Sequence, residues 1–307
     1  MSSRQRADVA ARFRHPRPDA QPGTPPSIEA IRAGFKALMA GMRVPETVRT
    51  AATTLGGLPA LRVEPAAGGA GTSAAGTILY FHGGGWVCGS PETALSVTGH
   101  LVAKTGIAAY SVDYRLAPEH PFPAAIDDTL SAYRELLERG VDPSSIAFAG
   151  ESAGGGLAVT TCLAARDAGL PLPTALAIFS PGLDATRSGE SMRTKEDVDP
   201  FFTRESVGRT GAMYLAGADP HQPLLSPALY ADLAGFPPML IQVGTNEILL
   251  DDSTRLAARA RQAGIDVILD VTADVPHVFQ SLVGLLDEAD EALERAALFL
   301  GQRIGRA

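Results

Sequence analysis

Phe148-Ala149-Gly150-Glu151-Ser152-Ala153-Gly154-Gly155-Gly156 is the stretch on which the fold of this chain turns. An apolar run, Ile146 to Ala149, leads into it, and a run of small residues, Leu157 to Ala165, leads out. Strand, sharp turn and helix in succession put Ser152 at the tip of the turn, the Gly-x-Ser-x-Gly arrangement of a nucleophile elbow. A serine there must hold a strained backbone, and a side chain two residues to either side would collide with the neighbouring strand or helix. With 32 glycines in the chain the same letters also describe an ordinary Gly-rich turn, so the rest of the sequence has to decide.

A serine hydroxyl is a poor nucleophile at neutral pH unless a base takes its proton. That base is usually a histidine oriented by a carboxylate, and the chain order for such a strand–turn–helix serine is serine, acid, histidine. Of six histidines only His221 and His277 follow Ser152. His221 sits in Asp219-Pro220-His221-Gln222, which reads as a surface turn. His277 directly follows an apolar strand, at the sheet edge that the elbow faces, and is the favoured base. The acid should follow the preceding strand, Met239 to Gly244. Glu247 comes first there; Asp251 and Asp252 fall where a helix begins and carboxylates favour its dipole. Glu247 is therefore favoured, with Asp251 as the alternative. His82-Gly83-Gly84-Gly85-Trp86, after the apolar run Thr77–Phe81, can turn backbone N–H groups towards an oxyanion, and the N–H of Ala153 would complete the hole. His82 reads as a loop-shaping hydrogen bonder, not a second base.

The setting is α/β. Strands are expected at 77–82, 107–113, 145–150, 175–180, 238–244 and 266–272, alternating with helices at 92–104, 124–139, 153–168, 251–263 and 286–301. Continuous apolar strands imply a mostly parallel sheet covered on both faces. Residues 44–54 and 58–64 around Gly56-Gly57 predict an antiparallel hairpin at the sheet edge. Ser27 caps a predicted helix over 28–42. Residues 1–26 form a basic, proline-rich arm, extended or partly helical, and 66–76 a Gly/Ala/Ser loop. Almost sixty residues separate the strands ending near Ser180 and starting near Pro238, enough for a substrate wall. The expected organisation is thus an arm and cap helix, 1–42, and a catalytic domain, 43–307, whose segment 184–225 contributes to the cap.

Bulk properties narrow the class. The chain has 307 residues, 45% hydrophobic, with net charge −8 and a pI of about 5.3. Nothing there favours nucleic acid or an anionic membrane as partner. No run of 18 apolar residues and no secretory signal is present, so a cytoplasmic setting without a membrane span is expected. Cys88 and Cys162 lack metal-ligand spacing and read as buried small hydrophobes, with no metal or other cofactor expected.

His82–Trp86, Asp113-Tyr114-Arg115-Leu116-Ala117-Pro118-Glu119, Pro123–Asp128 and Gly150–Gly156 together resemble the bacterial hormone-sensitive-lipase-like esterases of the α/β-hydrolase fold, over about residues 77 to 280. The resemblance implies a helical cap and a cofactor-free serine carboxylesterase acting on short- to medium-chain esters through an acyl-enzyme. It also implies oxyanion donors at Gly84, Gly85 and Ala153, and a homodimer through the sheet edge. Two positions depart from the family's common pattern: Glu151 stands where aspartate usually precedes the serine, and Glu247 where the acid is usually aspartate. A glutamate acid keeps a lactone hydrolase open, and a non-catalytic ligand receptor on the same fold is the alternative from another class. The Asp113–Glu119 run reads as a structural loop under the site. Phe35, Met39, Trp86, Phe201, Phe202, Met213 and Tyr214 are candidates for the pocket wall or, equally, for core packing.

Overall fold

The computed structural model describes residues 2–13, 26–66 and 76–305. The proline-rich part of the arm, 14–25, and most of the Gly/Ala/Ser loop, 67–75, lie outside the described residues. In chain order the elements are α1 (Ser2–Phe13), α2 (Ile28–Ala40), β1 (Val48–Leu55), β2 (Leu58–Pro65), β3 (Thr77–Phe81), α3 (Leu95–Thr105), β4 (Ala108–Val112), α4 (Ala124–Glu138) and β5 (Ile146–Glu151). They continue with α5 (Ala153–Asp167), β6 (Ala175–Phe179), α6 (Ser191–Thr194), α7 (Arg204–Leu215), α8 (Pro227–Tyr230), β7 (Met239–Asn246), α9 (Leu250–Gln262), β8 (Val267–Pro276) and α10 (Asp287–Arg303).

The strands form one eight-stranded sheet in the order β1-β2-β4-β3-β5-β6-β7-β8. The β1/β2 hairpin is antiparallel, as is its junction with β4; every other pair is parallel. This is the α/β-hydrolase arrangement. Alternate side chains of the buried strands enter two cores. Leu79, Phe81, Phe148, Ile178 and Ile241 pack under α4, α5 and α9, while Ile78, Tyr80, Ala147, Ala149 and Leu240 pack under α3 and α10. A strand buried on both faces can therefore be apolar at every position, which is why these segments show no alternation. Phe148 meets Tyr133 edge-on at 4.7 Å between ring centroids and Phe81 at 5.6 Å. Such pairs add roughly 0.5–1.5 kcal/mol each beyond the area they bury, and here they fix the strand that leads to the elbow.

Because β5 lies between β3 and β6, with Phe81 opposite Gly150 and Glu151 opposite Phe179, the residues just past these three strands converge at one edge. The ends of β7 and β8 lie at the same edge.

The arm, expected to be extended or partly helical, falls within that expectation, while the boundaries of β8 differ from it. The start of the arm is a helix, α1, because Val9 is buried against Phe279, Leu282 and Leu286 and the Arg6 Nε donates to Glu288 at 2.7 Å. Strand β8 runs on to Pro276 instead of ending at 272, with a register shift opposite Gly244–Asn246. It is the sheet's edge strand and half-exposed, with Ile268 and Val271 among its exposed residues. Ser27 does cap α2, its Oγ accepting from the N–H of Ala30 at 3.3 Å.

Candidate active site

Ser152 has φ 54° and ψ −120°, a conformation strained for any residue with a Cβ. The surroundings impose it. A Cβ on Gly150 would strike the carbonyl of Gly154, and one on Gly154 the carbonyl of Phe81. The Ser152 N–H donates to Phe179 O at 2.9 Å, and its carbonyl accepts from Gly182 N at 3.0 Å, so the turn is tied to the end of β6. The next residue, Ala153, opens α5, so its N–H has no intrahelical acceptor.

The loop after β3 lies against the serine: a Cβ on Gly83 would sit 3.2 Å from that of Ser152. Gly84 (φ 118°) and Gly85 (φ 63°) adopt backbone forms that favour glycine. The N–H groups of both have no protein acceptor among the described residues. The loop is held from behind. His82 is fully buried, contacts Gly83 O through Nδ1 at 2.8 Å, and stacks on Tyr114 at 4.1 Å. Burial lowers its pKa to about 4, so it is neutral at pH 7. The Tyr114 hydroxyl donates to His82 O at 2.8 Å, and Ala117 N donates to Trp86 O at 2.9 Å, so the Asp113–Glu119 run supports the loop from below. Glu151 reaches up to accept from Gly83 N at 2.7 Å and takes a second bond from the Tyr80 hydroxyl. Burial raises the Glu151 pKa to about 7, against the pull of those donors and of His277.

Glu247 follows β7 immediately and is wholly buried. Its Oε2 lies 2.7 Å from His277 Nδ1, while Oε1 accepts from Ser180 Oγ at 2.8 Å and Gly244 N at 2.7 Å. His277 follows β8 and is 6% exposed. Its Nε2 is buried with no hydrogen-bond partner among the described residues. The face of the imidazole is covered by Phe202, whose ring meets it edge-on at 4.9 Å. His221 is elsewhere, exposed and bonded to Asp219 at 2.9 Å. Asp251 accepts from Ser191 N at 2.9 Å at the start of α9 and does not touch His277.

Ser152, Ala153, Gly83–Gly85 and His277 line one mostly apolar cavity of about 770 Å³, whose other walls come from α2, α7 and the segments beside them. Of the expected wall residues, Phe35, Met39, Trp86, Phe201, Phe202 and Tyr214 face this cavity. Met213 does not; it packs on the core under α4 and α5. Trp86 and Tyr214 stack at 4.6 Å, joining the glycine loop to α7.

Residues 78–281 match the family model described as alpha/beta hydrolase fold. An acetyl-hydrolase of Streptomyces hygroscopicus is 42% identical over 229 residues, 75% of this chain and 76% of that one. A crystal structure of an esterase from the bacterial hormone-sensitive lipase family superposes with TM-score 0.90 at 39% identity, covering 99% of this chain and 100% of the other. A hormone-sensitive lipase from a metagenome library gives the same TM-score at 41% identity, covering 98% of each chain. This chain belongs to the bacterial hormone-sensitive-lipase-like esterases of the α/β-hydrolase fold. It is an ester hydrolase, and the receptor reading falls away. Among the described residues no helix is long and apolar enough to cross a membrane.

In this hormone-sensitive-lipase-like esterase two residues at the site escaped the sequence reading. Ser180 (φ 45°) bridges the loops that carry Glu247 and His277, donating to Glu247 and accepting from Val278 N at 3.0 Å. Asp199 accepts from Phe201 N at 2.8 Å, Phe202 N at 2.9 Å and Ile248 N at 2.9 Å. It thereby links the Phe202 side of His277 to the residue beside Glu247. Burial raises the Asp199 pKa, with those N–H groups and His277 opposing. The only signal for Ser180 was a polar residue closing an apolar strand, and for Asp199 an Asp-Pro turn.

Proposed function

We propose that this ester hydrolase is a serine carboxylesterase acting through an acyl-enzyme on short- to medium-chain esters. Ser152 attacks the ester carbonyl while His277 takes its proton at Nε2. Glu247 holds Nδ1–H, keeping the reactive tautomer and stabilising the imidazolium as it forms. The N–H groups of Gly84, Gly85 and Ala153 bind the oxyanion of the tetrahedral intermediate. The alcohol leaves with the proton returned by His277, and water repeats the sequence to release the acid.

The observation that carries this reading is the 2.7 Å contact between buried Glu247 and buried His277, the latter in the wall of the cavity that holds Ser152. With Nδ1 engaged by the carboxylate, Nε2 is the nitrogen left to accept a proton. Hydrogen bonds to an attacking nucleophile often tighten only once substrate is bound. The cap segments on either side of the cavity, with Ile31, Phe35 and Met39 from α2 and Phe201, Phe202 and Tyr214 from within 184–225, supply the apolar walls that select the ester. The name of the Streptomyces relative, an acetyl-hydrolase, supports a short acyl group. Ser152→Ala should lower turnover of a short-chain p-nitrophenyl ester by roughly 10⁶-fold. Retention of a tenth of the activity would sink the assignment.

A further inference from the structure

Three arginines that the esterase mechanism leaves unused line the cavity, Arg12, Arg187 and Arg209, and among the described residues Arg187 is the one with neither an ion pair nor a ring contact. Arg187 lies in the loop after β6, lines the cavity and is half-buried. Among the described residues its guanidinium has no hydrogen-bond partner. Two locally unfavourable features combine to put it there. Its own backbone is left-handed, φ 54°, which a residue with a long side chain rarely adopts. The guanidinium also lies over Gly208 and Gly211, nearly one turn apart inside α7, and a Cβ at 211 would collide with it. Glycines in a helix interior weaken the helix, so this bay is maintained against local propensity.

No other charge around the cavity neutralises Arg187. Asp184, a carboxylate on the same cavity wall, is occupied by Thr186 N at 2.9 Å, Ser188 N at 3.0 Å and Arg255 Nη1 at 3.1 Å. Arg209, on the same helix as the two glycines, is paired with Glu205 at 3.0 Å, and the Arg12 guanidinium sits over the Phe13 ring. Burial lowers the Arg187 pKa and Asp184 opposes the shift. A guanidinium stays protonated even so. A half-buried cation facing an apolar cavity is stabilised most by an anion that arrives with the ligand, and a carboxylate matches the guanidinium fork with two parallel hydrogen bonds.

We propose that Arg187 binds a carboxylate on the substrate, so that the preferred substrates are esters carrying an anionic group away from the scissile bond. This rests on the serine-esterase reading of the same cavity. The preference is a matter of charge, so it separates from any packing role of the arginine.

The test is a comparison of matched charged and neutral esters. Monoethyl dicarboxylates from succinate to suberate are run against ethyl esters of equal acyl length, and acetates of hydroxyalkanoates against alkyl acetates. The first series places the carboxylate on the acyl side and the second on the alcohol side. The wild-type enzyme should favour the charged member of at least one series by roughly tenfold to a hundredfold in kcat/KM, the usual worth of a charge-assisted hydrogen bond. Arg187→Met should remove that preference, and Arg187→Lys should keep part of it. A loss falling equally on charged and neutral esters, or no preference in either series, overturns the proposal. Calorimetric binding of the same pairs to Ser152→Ala provides the second readout. Turnover by that variant would count against the serine mechanism, whereas equal affinity for the two members of every pair would count against Arg187.

Discussion

At the residue scale the choice of acid illustrates how little distance in sequence matters beside distance in space. Glu247 and Asp251 are four positions apart, yet only Glu247 meets His277, at 2.7 Å. Asp251 turns to Ser191 and serves the start of α9. Removing the orienting carboxylate of a serine hydrolase leaves the imidazole in the wrong tautomer. Glu247→Gln should therefore lower kcat by about 10⁴-fold. Asp251→Asn keeps an accepting oxygen for Ser191 N and should cost far less; a larger loss at Asp251 in steady-state kinetics would reverse the assignment. The longer glutamate is accommodated because its other oxygen is held by Ser180 and Gly244. Glu151 shows the same logic: its extra methylene lets the carboxylate reach Gly83 N from the residue before Ser152.

At the scale of elements, the segment between β6 and β7 does more than roof the cavity. Asp199 joins it to the β7–α9 loop through three backbone N–H groups, with Phe201 and Phe202 on one side and Ile248 on the other. Asn at this position has only one accepting oxygen, so one side of the link must be given up. Asp199→Asn should therefore loosen Phe202 over His277 and lower the acylation rate by roughly 10- to 100-fold, the cost of about an ångström of misplacement. KM should change less than kcat. Pre-steady-state measurement with p-nitrophenyl acetate reads acylation directly, and an unchanged acylation rate would leave Asp199 a purely structural residue. Strand β8 makes a related point. Its extension to Pro276 delivers His277 to the sheet edge, and the register shift against β7 lies beside that extension.

For the whole molecule, the buried carboxyls set how stability follows pH. Asp252, 3% exposed, accepts from Leu183 N at 2.6 Å and Asp184 N at 2.9 Å. Burial, reinforced by the Asp184 charge, raises its pKa to about 8. Between the ordinary carboxylate range, about pH 4, and that raised value the folded state keeps a proton that the unfolded chain has released. Stability from this group therefore falls as pH rises through that window and levels off above it. Glu151, raised to about 7, acts in the same direction. His82, lowered to about 4, acts oppositely and only below the histidine range. Asp252→Asn keeps an accepting oxygen without the titration. Its melting temperature should decline less between pH 5 and pH 9 than that of the wild type, and parallel curves would refute the assignment.

Much of this was legible in the chain because it depends on local rules. Gly150 and Gly154 had to lack side chains, the strands had to be apolar throughout to be buried on both faces, and the order serine, acid, histidine followed from successive strand ends. The α/β-hydrolase sheet was therefore readable from the elbow outward. Boundaries were less so: α1 is held by contacts with residues near 280, and β8 continues only because β7 lies beside it. Ser180 and Asp199 offered only a polar residue closing an apolar strand and an Asp-Pro turn, and Arg187 offered no signal at all. A hydroxyl that bonds a carboxylate 67 residues away, or a guanidinium resting on two glycines of another helix, acquires its role from which segments the folded sheet brings together. By itself the sequence determined the fold and pointed to a chemistry for Ser152, since strain and strand order are written locally. Only the tertiary structure decided which groups hold that chemistry in place and what the cavity offers a substrate, because those depend on distances between segments remote in the chain.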